Sequence, residues 1–254
     1  MTTAHSGSGD LSRSMELLWQ GKEPAGRGPK PRLTLERIVA AAVAVADREG
    51  LAALSMRKVA AELDVGTMSL YRYVPGKGEL LDLMLDHVNG SPEALEEHRG
   101  KDWRSTMELV ARGTWQLYLS HPWLLQVNQA RPILGPNALG AIDFALAALD
   151  GQGLTGREKV AVILTVDNYV TGTARAYVLQ QQAIHESGIT DDEFWAAQEP
   201  ALNQAMASGN YPEISQLPED AFSIGGEEAL EFGLKPLLDG LEAVITGQPR
   251  WEYS

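Results

Sequence analysis

The sequence contains no cysteine among its 254 residues. Disulfides, thiolate nucleophiles and thiolate metal ligands are therefore excluded, and the absence fits a reducing, cytoplasmic compartment. No apolar run reaches the roughly 18 residues that a membrane span requires, so we predict no membrane partner. The first 14 residues also lack the apolar core of a signal peptide, and their Ser and Gly content predicts a flexible tail.

The sequence also lacks the motifs of the common catalytic sites. Its five histidines show no metal-ligand spacing. There is no Walker loop, no Gly-x-Gly-x-x-Gly after a strand and no Gly-x-Ser-x-Gly elbow. The acidic pairs Asp191-Asp192 and Glu227-Glu228 begin predicted helices, where negative charge is stabilised without any catalytic role. We therefore predict that the protein is not an enzyme and holds no metal and no cofactor.

Positive charge is scarce overall, and the formal net charge is −13. Taken whole, this charge argues against a nucleic-acid partner. Its distribution reverses that interpretation, because residues 22–77 carry ten Lys or Arg against six Asp or Glu, whereas residues 91–254 carry ten against 23. One end of the chain can therefore approach a polyanion that the other end would repel.

The chain between residues 22 and 33 is rich in Pro and Gly and strongly basic. With the residues before it, it predicts a flexible, basic N-terminal arm over 1–33, in which Arg27 and Arg32 suit the minor groove of DNA. An amphipathic helix follows, with Thr34 as its N-cap and Gly50 as its end.

A second helix begins after Ser55, which we predict to be its N-cap. Two cations, Arg57 and Lys58, occupy its first turn, where the helix dipole disfavours positive charge unless an anion lies nearby. A phosphate would be such an anion.

A very short third helix lies in the stretch ELDVGTMSLYRYVPGKGELL, residues 62–81. Eight residues of helix measure about 12 Å, which matches the width of the major groove of B-DNA. Leu70 and Val74 share one face and anchor the helix, which leaves polar, cationic and aromatic side chains facing outward. Two helices joined by a tight turn in this way are typical of a helix-turn-helix motif. An ordinary solvated face is the alternative interpretation.

The run RIVAAAVAVADREGLAALSMRKVAAELDVGTMSLYRYVPGKGELLDLML resembles the N-terminal DNA-binding domain of the tetracycline-repressor (TetR-type) family of transcriptional regulators. The resemblance implies that residues 67–73 read the major groove and that residues about 79–89 connect this domain to the rest. Asp64 departs from the family's usual glycine, but Asp tolerates the left-handed conformation of the turn. With Lys58, Met68 and Arg72 from the outward faces, the predicted DNA-binding residues are Ser55, Arg57, Lys58, Thr67, Met68, Ser69, Tyr71, Arg72, Tyr73 and Lys77.

Helical periodicity continues beyond Gly90 to the end of the chain, so we predict an all-α protein. The three predicted regions are the arm over 1–33, a three-helix helix-turn-helix DNA-binding domain over 34–90, and a larger helical domain over 91–254. The predicted helical segments of the last region are 102–120, 122–130, 137–150, 156–185, 190–208 and 227–246.

The final segment, FGLKPLLDGLEAVITG, resembles the last helix of a tetracycline-repressor-like C-terminal domain. This resemblance implies a domain that forms homodimers and binds a small inducer. An apolar stripe at positions 230, 234, 237, 238, 241 and 245 favours packing against a partner subunit, with packing in the chain's own core as the alternative. Pro236 lies inside the stripe and predicts a kink or a restart of the helix.

Polar residues within an apolar helix suggest a ligand site. Asp167, Asn168, Thr171 and Arg175 recur at spacings of three and four, so they share one face and need partners if they are buried. A network of Asp167 and Arg175 across a dimer interface is as well supported as a pocket. Aromatic and soft apolar side chains can form the wall of a ligand cavity, although such residues more commonly pack in a core. The predicted wall residues are Trp103, Met107, Trp115, Tyr118, Trp123 and Phe144.

The pattern as a whole predicts a homodimeric, ligand-responsive transcriptional regulator, most often a repressor in such families. Its partners would be a double-stranded, near-palindromic DNA operator and a small apolar or aromatic inducer that releases it. The alternative is an all-helical small-molecule-binding or interaction protein without sequence-specific DNA binding.

Overall fold

The computed structural model describes residues 4–20, 33–218 and 220–247. Within these residues the fold is all-α, as predicted, apart from one pair of two-residue parallel strands, β1 (Ala4–His5) and β2 (Val127–Asn128). The helices are α1 (Leu11–Gln20), α2 (Leu35–Glu49), α3 (Met56–Glu62), α4 (Thr67–Tyr71), α5 (Lys77–Val88), α6 (Trp103–Ser120), α7 (Pro136–Ala148), α8 (Gly156–Ser187), α9 (Asp191–Ala207) and α10 (Gly226–Gly247).

The predicted helix ends of the N-terminal domain are confirmed. The Thr34 hydroxyl accepts from the N–H of Arg37 at the start of α2, and Gly50 ends the helix with φ 79°. The Ser55 hydroxyl accepts from the N–H of Lys58 at the start of α3. Such side-chain caps satisfy amides that have no partner within the helix, and each contributes about 1 kcal/mol.

The first hydrophobic core lies among α2, α3, α4 and α5. Ile38, Val59, Leu70 and Leu80 are fully buried there. Trp123, Leu124 and Val127 join this core from the downstream part of the chain. The boundary at residue 90 stays a prediction, since Trp123, Leu124 and Val127 pack with the helices that precede it and α7 contacts α5.

The second core lies among α6, α8 and α10. Leu230, Leu234 and Leu238 of the apolar stripe are at most 2% exposed and pack against α6 and α8. For these residues the alternative of packing in the chain's own core is confirmed, and the prediction of a partner contact is wrong. Helix α10 runs from Gly226 to Gly247 through Pro236, so the predicted restart does not occur.

The N-terminal residues 4–20 are folded, so the prediction of a flexible tail is wrong for them. β1 pairs with β2, and α1 buries Leu17 and Leu18 against α5. The small residues between these elements allow the backbone to lie close to α5, a contact that composition does not reveal. The basic residues of the predicted arm from Lys22 to Arg32 lie outside the described residues.

The predicted helix over 122–130 is wrong in its second half. A 3-10 turn covers Pro122–Gln126, and Val127–Asn128 then form β2. The chain leaves the helical conformation here because these residues pair with β1, which lies more than 120 positions away. The remaining 3-10 turns cover Leu51–Ala53, Pro92–His98 and Ile214–Gln216. Within the described ranges, no helix combines the length and the apolarity needed to cross a bilayer.

Candidate DNA-binding surface and ligand cavity

Helices α3 and α4 form the predicted helix-turn-helix. The turn between them contains Asp64 with φ 52°, the left-handed conformation expected where the family usually has glycine. Leu70 and Val74 are completely buried and fix α4 on the domain, as predicted. The helix is shorter than the eight residues predicted, because it ends at Tyr71 and continues only as a turn.

The opposite side of α4 faces outward. The side chain of Met68 is 77% exposed and that of Tyr71 is 44% exposed. Arg72 is also exposed, and Thr67 and Ser69 lie partly exposed on the flanks. We call these five residues the reading surface. Its thioether, hydroxyl and guanidinium groups suit contacts to base edges and phosphates.

Tyr73 has a role inside the domain as well. It is only partly exposed, and its hydroxyl donates a 2.9 Å hydrogen bond to the carbonyl of Leu33. This bond ties the end of α4 to the residue that precedes the cap of α2. No pattern in the sequence links these two positions.

The predicted DNA-binding cations differ in how they are held. Lys58 forms an ion pair with Glu49, which also pairs with Arg48. The hydrogen bond from Lys58, followed by that from Arg48, lowers the pKa of the Glu49 carboxyl. Arg57 is exposed and has no hydrogen bond or ion pair among the described residues. Arg57 is therefore the freer of the two cations to meet a phosphate.

Two further predicted DNA contacts, Ser55 and Lys77, lie outside the reading surface. The Ser55 hydroxyl accepts from the N–H of Lys58 at 3.3 Å, and its own proton remains available to a phosphate oxygen. Lys77, at the start of α5, is exposed, and its Nζ lies 3.4 Å from the carbonyl of Leu51. Both residues are thus accessible at the surface of the N-terminal helices.

Several predicted ligand residues form the second core instead of a cavity wall. Met107 and Trp115 are at most 3% exposed and pack between α6, α8 and α10. The ring of Trp115 lies 5.7 Å from that of Tyr177. For these two, the alternative of core packing describes the structure.

Trp123 is placed differently from its prediction. It is 1% exposed, lies in the first core, and its indole N–H donates a 2.7 Å hydrogen bond to Asp47 Oδ1. His121 Nδ1 lies 2.7 Å from the same oxygen. Trp123 therefore connects α2 to the downstream part of the chain.

The polar face of α8 is only partly satisfied within the subunit. The hydroxyls of Thr171 and Tyr118 lie 3.0 Å apart, and burial raises the pKa of Tyr118. Asp167, Asn168 and Arg175 have exposed side chains without hydrogen bonds or ion pairs among the described residues. Although Asp167 exposes much of its area, surrounding atoms exclude enough water to raise its pKa. An Asp167–Arg175 pair is thus absent within the described subunit.

A cavity of about 420 Å³ lies between the end of α5, the turn Pro92–His98, α6 and α7. Its apolar wall includes Val88 and Phe144, and its polar groups include His98, His121 and Thr114. An adjacent cavity of about 330 Å³ is lined by Trp103 and shares Phe144. Of the predicted wall residues, Phe144 and Trp103 therefore line cavities.

Family comparisons agree with this geometry. Residues 38–84 match the family described as bacterial regulatory proteins, tetR family, and residues 96–245 match the tetracyclin repressor-like C-terminal domain. The chain belongs to the tetR family. The HTH-type transcriptional repressor DrrR1 of Streptomyces coeruleorubidus is 53% identical over 99% of this TetR-family chain and 92% of its own length. The predicted resemblance and the prediction of a transcriptional regulator are thereby confirmed.

Solved structures of TetR-family proteins share the fold. Apo ActR from Streptomyces coelicolor superposes with a TM-score of 0.67 at 28% identity, over 85% of this chain and 98% of ActR. ActR in complex with (S)-DNPA gives a TM-score of 0.62 at 26% identity, over 84% and 98%.

The positions of some residues in this TetR-family chain could not be predicted from the sequence pattern. His98 and His121 are isolated polar positions in the sequence, and only the packing of α7 against α6 and the turn Pro92–His98 brings them to one cavity. Glu79, Asp82 and Asp86 recur at spacings of three and four on α5, which suggests a solvated face. All three are at most 7% exposed.

Proposed function

We propose that this TetR-family chain is a homodimeric repressor that binds a near-palindromic operator and leaves it when a small molecule binds. Residues 34–90 read DNA, and residues 91–254 bind the ligand and form the dimer. The observation that carries the proposal is the anchoring of α4 by Leu70 and Val74, which leaves Met68, Tyr71 and Arg72 exposed. Such a regulator acts in the compartment that holds the DNA, the bacterial cytoplasm.

An exposed row on α10 supports a dimer. Phe232, Pro236, Gly240 and Val244 follow one another at intervals of four and therefore share a face. The side chain of Phe232 is 83% exposed. A large aromatic side chain in this position, followed by small residues, suits close packing against a second copy.

Helix α8 presents a similar row. Val160, Leu164 and Leu179 are 44%, 52% and 56% exposed, and no atom of the described residues lies within 4 Å of a Cβ placed on Gly172. With the row on α10, this face can form a four-helix bundle with its symmetry-related copy. Asp167 and Arg175 lie on the same helix and would find partners in that bundle, as the alternative of an inter-subunit network predicts.

Helix α9 also favours a partner subunit. None of its residues is buried. Phe194 and Trp195 contact each other edge to face at 5.5 Å, and Trp195 stacks with Phe222 at 6.4 Å, yet all three are about half exposed or more. An exposed aromatic cluster of this kind suits contact with another surface.

The cavity beside α5 is the inducer site that we propose. Its position at the end of the helix leading to the DNA-binding domain lets a ligand alter the orientation of that domain. ActR holds (S)-DNPA in one of its solved structures, which supports a small-molecule ligand here. Apolar walls with His98 and His121 suit an aromatic compound that carries hydrogen-bonding groups.

Selection on random DNA duplexes tests the proposed function. A dimer with two reading surfaces should recover an inverted repeat with half-sites about 34 to 36 Å apart. Tyr71→Ala and Lys77→Ala should weaken binding to the recovered sequence, and Lys77→Ala should reduce the slope of log K against log salt by about one. Recovery of no inverted repeat, with ligand binding retained, would instead support the alternative binding protein.

A further inference from the structure

The N-terminal segment, residues 4–20, is bonded to two carboxylates of helix α5. The N–H of Gly7 donates to Asp82 Oδ1 at 2.8 Å, and the hydroxyl of Ser14 donates to Asp82 Oδ2 at 2.6 Å. One turn earlier on α5, Glu79 Oε1 accepts from the N–H of Asp10 at 2.6 Å. The segment therefore follows α5 over more than one helical turn.

These hydrogen bonds are shielded from water. The exposed fractions are 0% for Ser14, 1% for Asp82 and 7% for Glu79. A hydrogen bond to a carboxylate is stronger than one between neutral groups, and water cannot readily replace a buried donor. Leu17 and Leu18 add buried apolar contacts on the same side. The segment is thus held firmly on α5.

The backbones of the two elements touch at a pair of glycines. A Cβ placed on Gly78 would lie 2.6 Å from the backbone N of Gly9 and 2.7 Å from its Cα. Backbone atoms cannot rotate away as a flexible side chain can. Gly78 is therefore required for the segment to lie where it does.

The same segment is also bonded to the residues that follow the 3-10 turn Pro122–Gln126. β1 pairs with β2, and the Ser6 hydroxyl donates to the carbonyl of Arg131 at 2.7 Å. Residues 127–131 come directly after His121 and Trp123, which contact α2. Residues 4–20 therefore join α5 to the chain around residues 121–131, which contacts α2.

Helix α5 is fixed on a second side as well. Asp86 lies one turn beyond Asp82, and its side-chain Oδ1 accepts a 2.9 Å hydrogen bond from the N–H of Ala138. The backbone carbonyl of Asp86 accepts a 3.2 Å hydrogen bond from the side-chain amide of Asn137. Because Asn137 and Ala138 lie in the first turn of α7, α5 is held between the N-terminal segment and a helix that lines the cavity.

We propose that residues 4–20 are a clamp that sets the orientation of α5 and, through it, the separation of the two reading surfaces in the dimer. Ser14 of the segment and Gly78 and Asp82 of α5 are positioning residues, because they join the segment to the helix. The inference rests on the proposed binding of a two-half-site operator. Preorganised surfaces lose less conformational freedom on binding, so the clamp raises affinity at one half-site spacing and sharpens the preference for it.

The test compares the wild-type protein with Gly78→Ala in the full chain. The added methyl displaces the clamp, while alanine still favours the helix. Gly156→Ala is the matched control, since Gly156 lies in the first turn of α8 and no described atom comes within 4 Å of an added Cβ. Affinity is measured for duplexes with the selected half-site spacing and with one base pair more or fewer.

Gly78→Ala should bind the duplex with the selected spacing about tenfold more weakly than the wild type does. At the altered spacings its affinity should differ less from that of the wild type, so the variant should discriminate less among half-site spacings. Gly156→Ala should match the wild type. A uniform loss at all spacings would indicate a merely structural role and overturn the proposal. Hydrogen exchange without DNA gives a separate readout, in which the α5 amides of Gly78→Ala exchange faster while those of α10 do not change. Unchanged exchange in α5 would also overturn it.

Ser14→Ala is the second variant, for use if Gly78→Ala does not fold. It removes one donor to Asp82 without a steric clash and should produce the same changes on a smaller scale. If the wild-type protein selects no inverted repeat, the proposed function fails, whereas the hydrogen-exchange comparison still decides whether the clamp holds α5.

Discussion

The indole N–H of Trp123 donates a 2.7 Å hydrogen bond to Asp47 Oδ1. Asp47 belongs to the first helix of the DNA-binding domain, and Trp123 belongs to a turn that lies between α6 and α7. His121 contacts the same oxygen and also lines the 420 Å³ cavity. Only the side chain of His121 therefore separates the Asp47 carboxylate from the proposed inducer site. The contact between the two parts of the chain is therefore close to the proposed inducer site.

Trp123→Phe should lower the free energy of unfolding by about 1 to 3 kcal/mol, because a buried hydrogen bond to a carboxylate and some packing are lost. Urea denaturation followed by circular dichroism measures the change. Trp19→Phe is the control, since the side chain of Trp19 is 48% exposed and has no hydrogen bond among the described residues. Equal stability of the two variants would contradict a structural role for the bond to Asp47.

Arg72→Ala should weaken operator binding and reduce the slope of log K against log salt by about one, because one phosphate or base contact is lost. Fluorescence anisotropy at several salt concentrations gives this slope. Arg48→Ala is the control, because Arg48 already pairs with Glu49 and Glu62. A larger change in the slope for Arg48→Ala than for Arg72→Ala would argue against the reading surface as defined.

Phe232→Glu should convert the proposed dimer to a monomer without unfolding the subunit, because Phe232 is 83% exposed and a buried charge in the bundle is costly. Light scattering coupled to size-exclusion chromatography measures the mass. Leu11→Glu places the same charge on an exposed position of α1, where the side chain is 56% exposed. It should leave the mass unchanged, and a monomeric wild-type protein would refute the dimer.

Gly113→Leu should abolish the response to an inducer while it preserves DNA binding. Gly113 lines the cavity on α6, and within the described part of the chain no atom lies within 4 Å of a Cβ placed there, so a leucine side chain can occupy the space without displacing the helix. Aromatic compounds that raise the melting temperature of the wild-type protein should not raise that of the variant. A full thermal shift in Gly113→Leu would place the ligand elsewhere.

Asp82→Asn should change how stability depends on pH. Burial raises the pKa of Asp82, although bonds from Ser14 and Gly7 oppose this. The folded protein therefore binds the proton more tightly than the unfolded chain, and its stability falls as the pH rises above about 4, the ordinary value for Asp. Relative to Asp82→Asn, the wild-type protein should be more stable near pH 4 than at pH 7. Urea denaturation across this range would show no such difference if Asp82 titrated normally.

Local sequence determined the helix-turn-helix and most helix bounds. Thr34, Ser55 and Gly50 act within one turn of their own helix, so their effects can be read from neighbouring residues. Leu70 and Val74 likewise revealed the buried face of α4 through their spacing. The predicted helix over 102–120 agrees with α6 for the same reason.

Tertiary structure alone decided the places where distant residues meet. Because Ala4–His5 pair with Val127–Asn128, the structure has a short strand where a helix was predicted and an ordered segment where a flexible tail was predicted. Trp123 is a residue type common in cavity walls, which led to its prediction as one. Its hydrogen-bond partner, Asp47, lies 76 positions away in the sequence and could not be inferred from it. Hydrogen bonds and packing across such separations depend on how helices cross, and helical periodicity carries no information about those crossings.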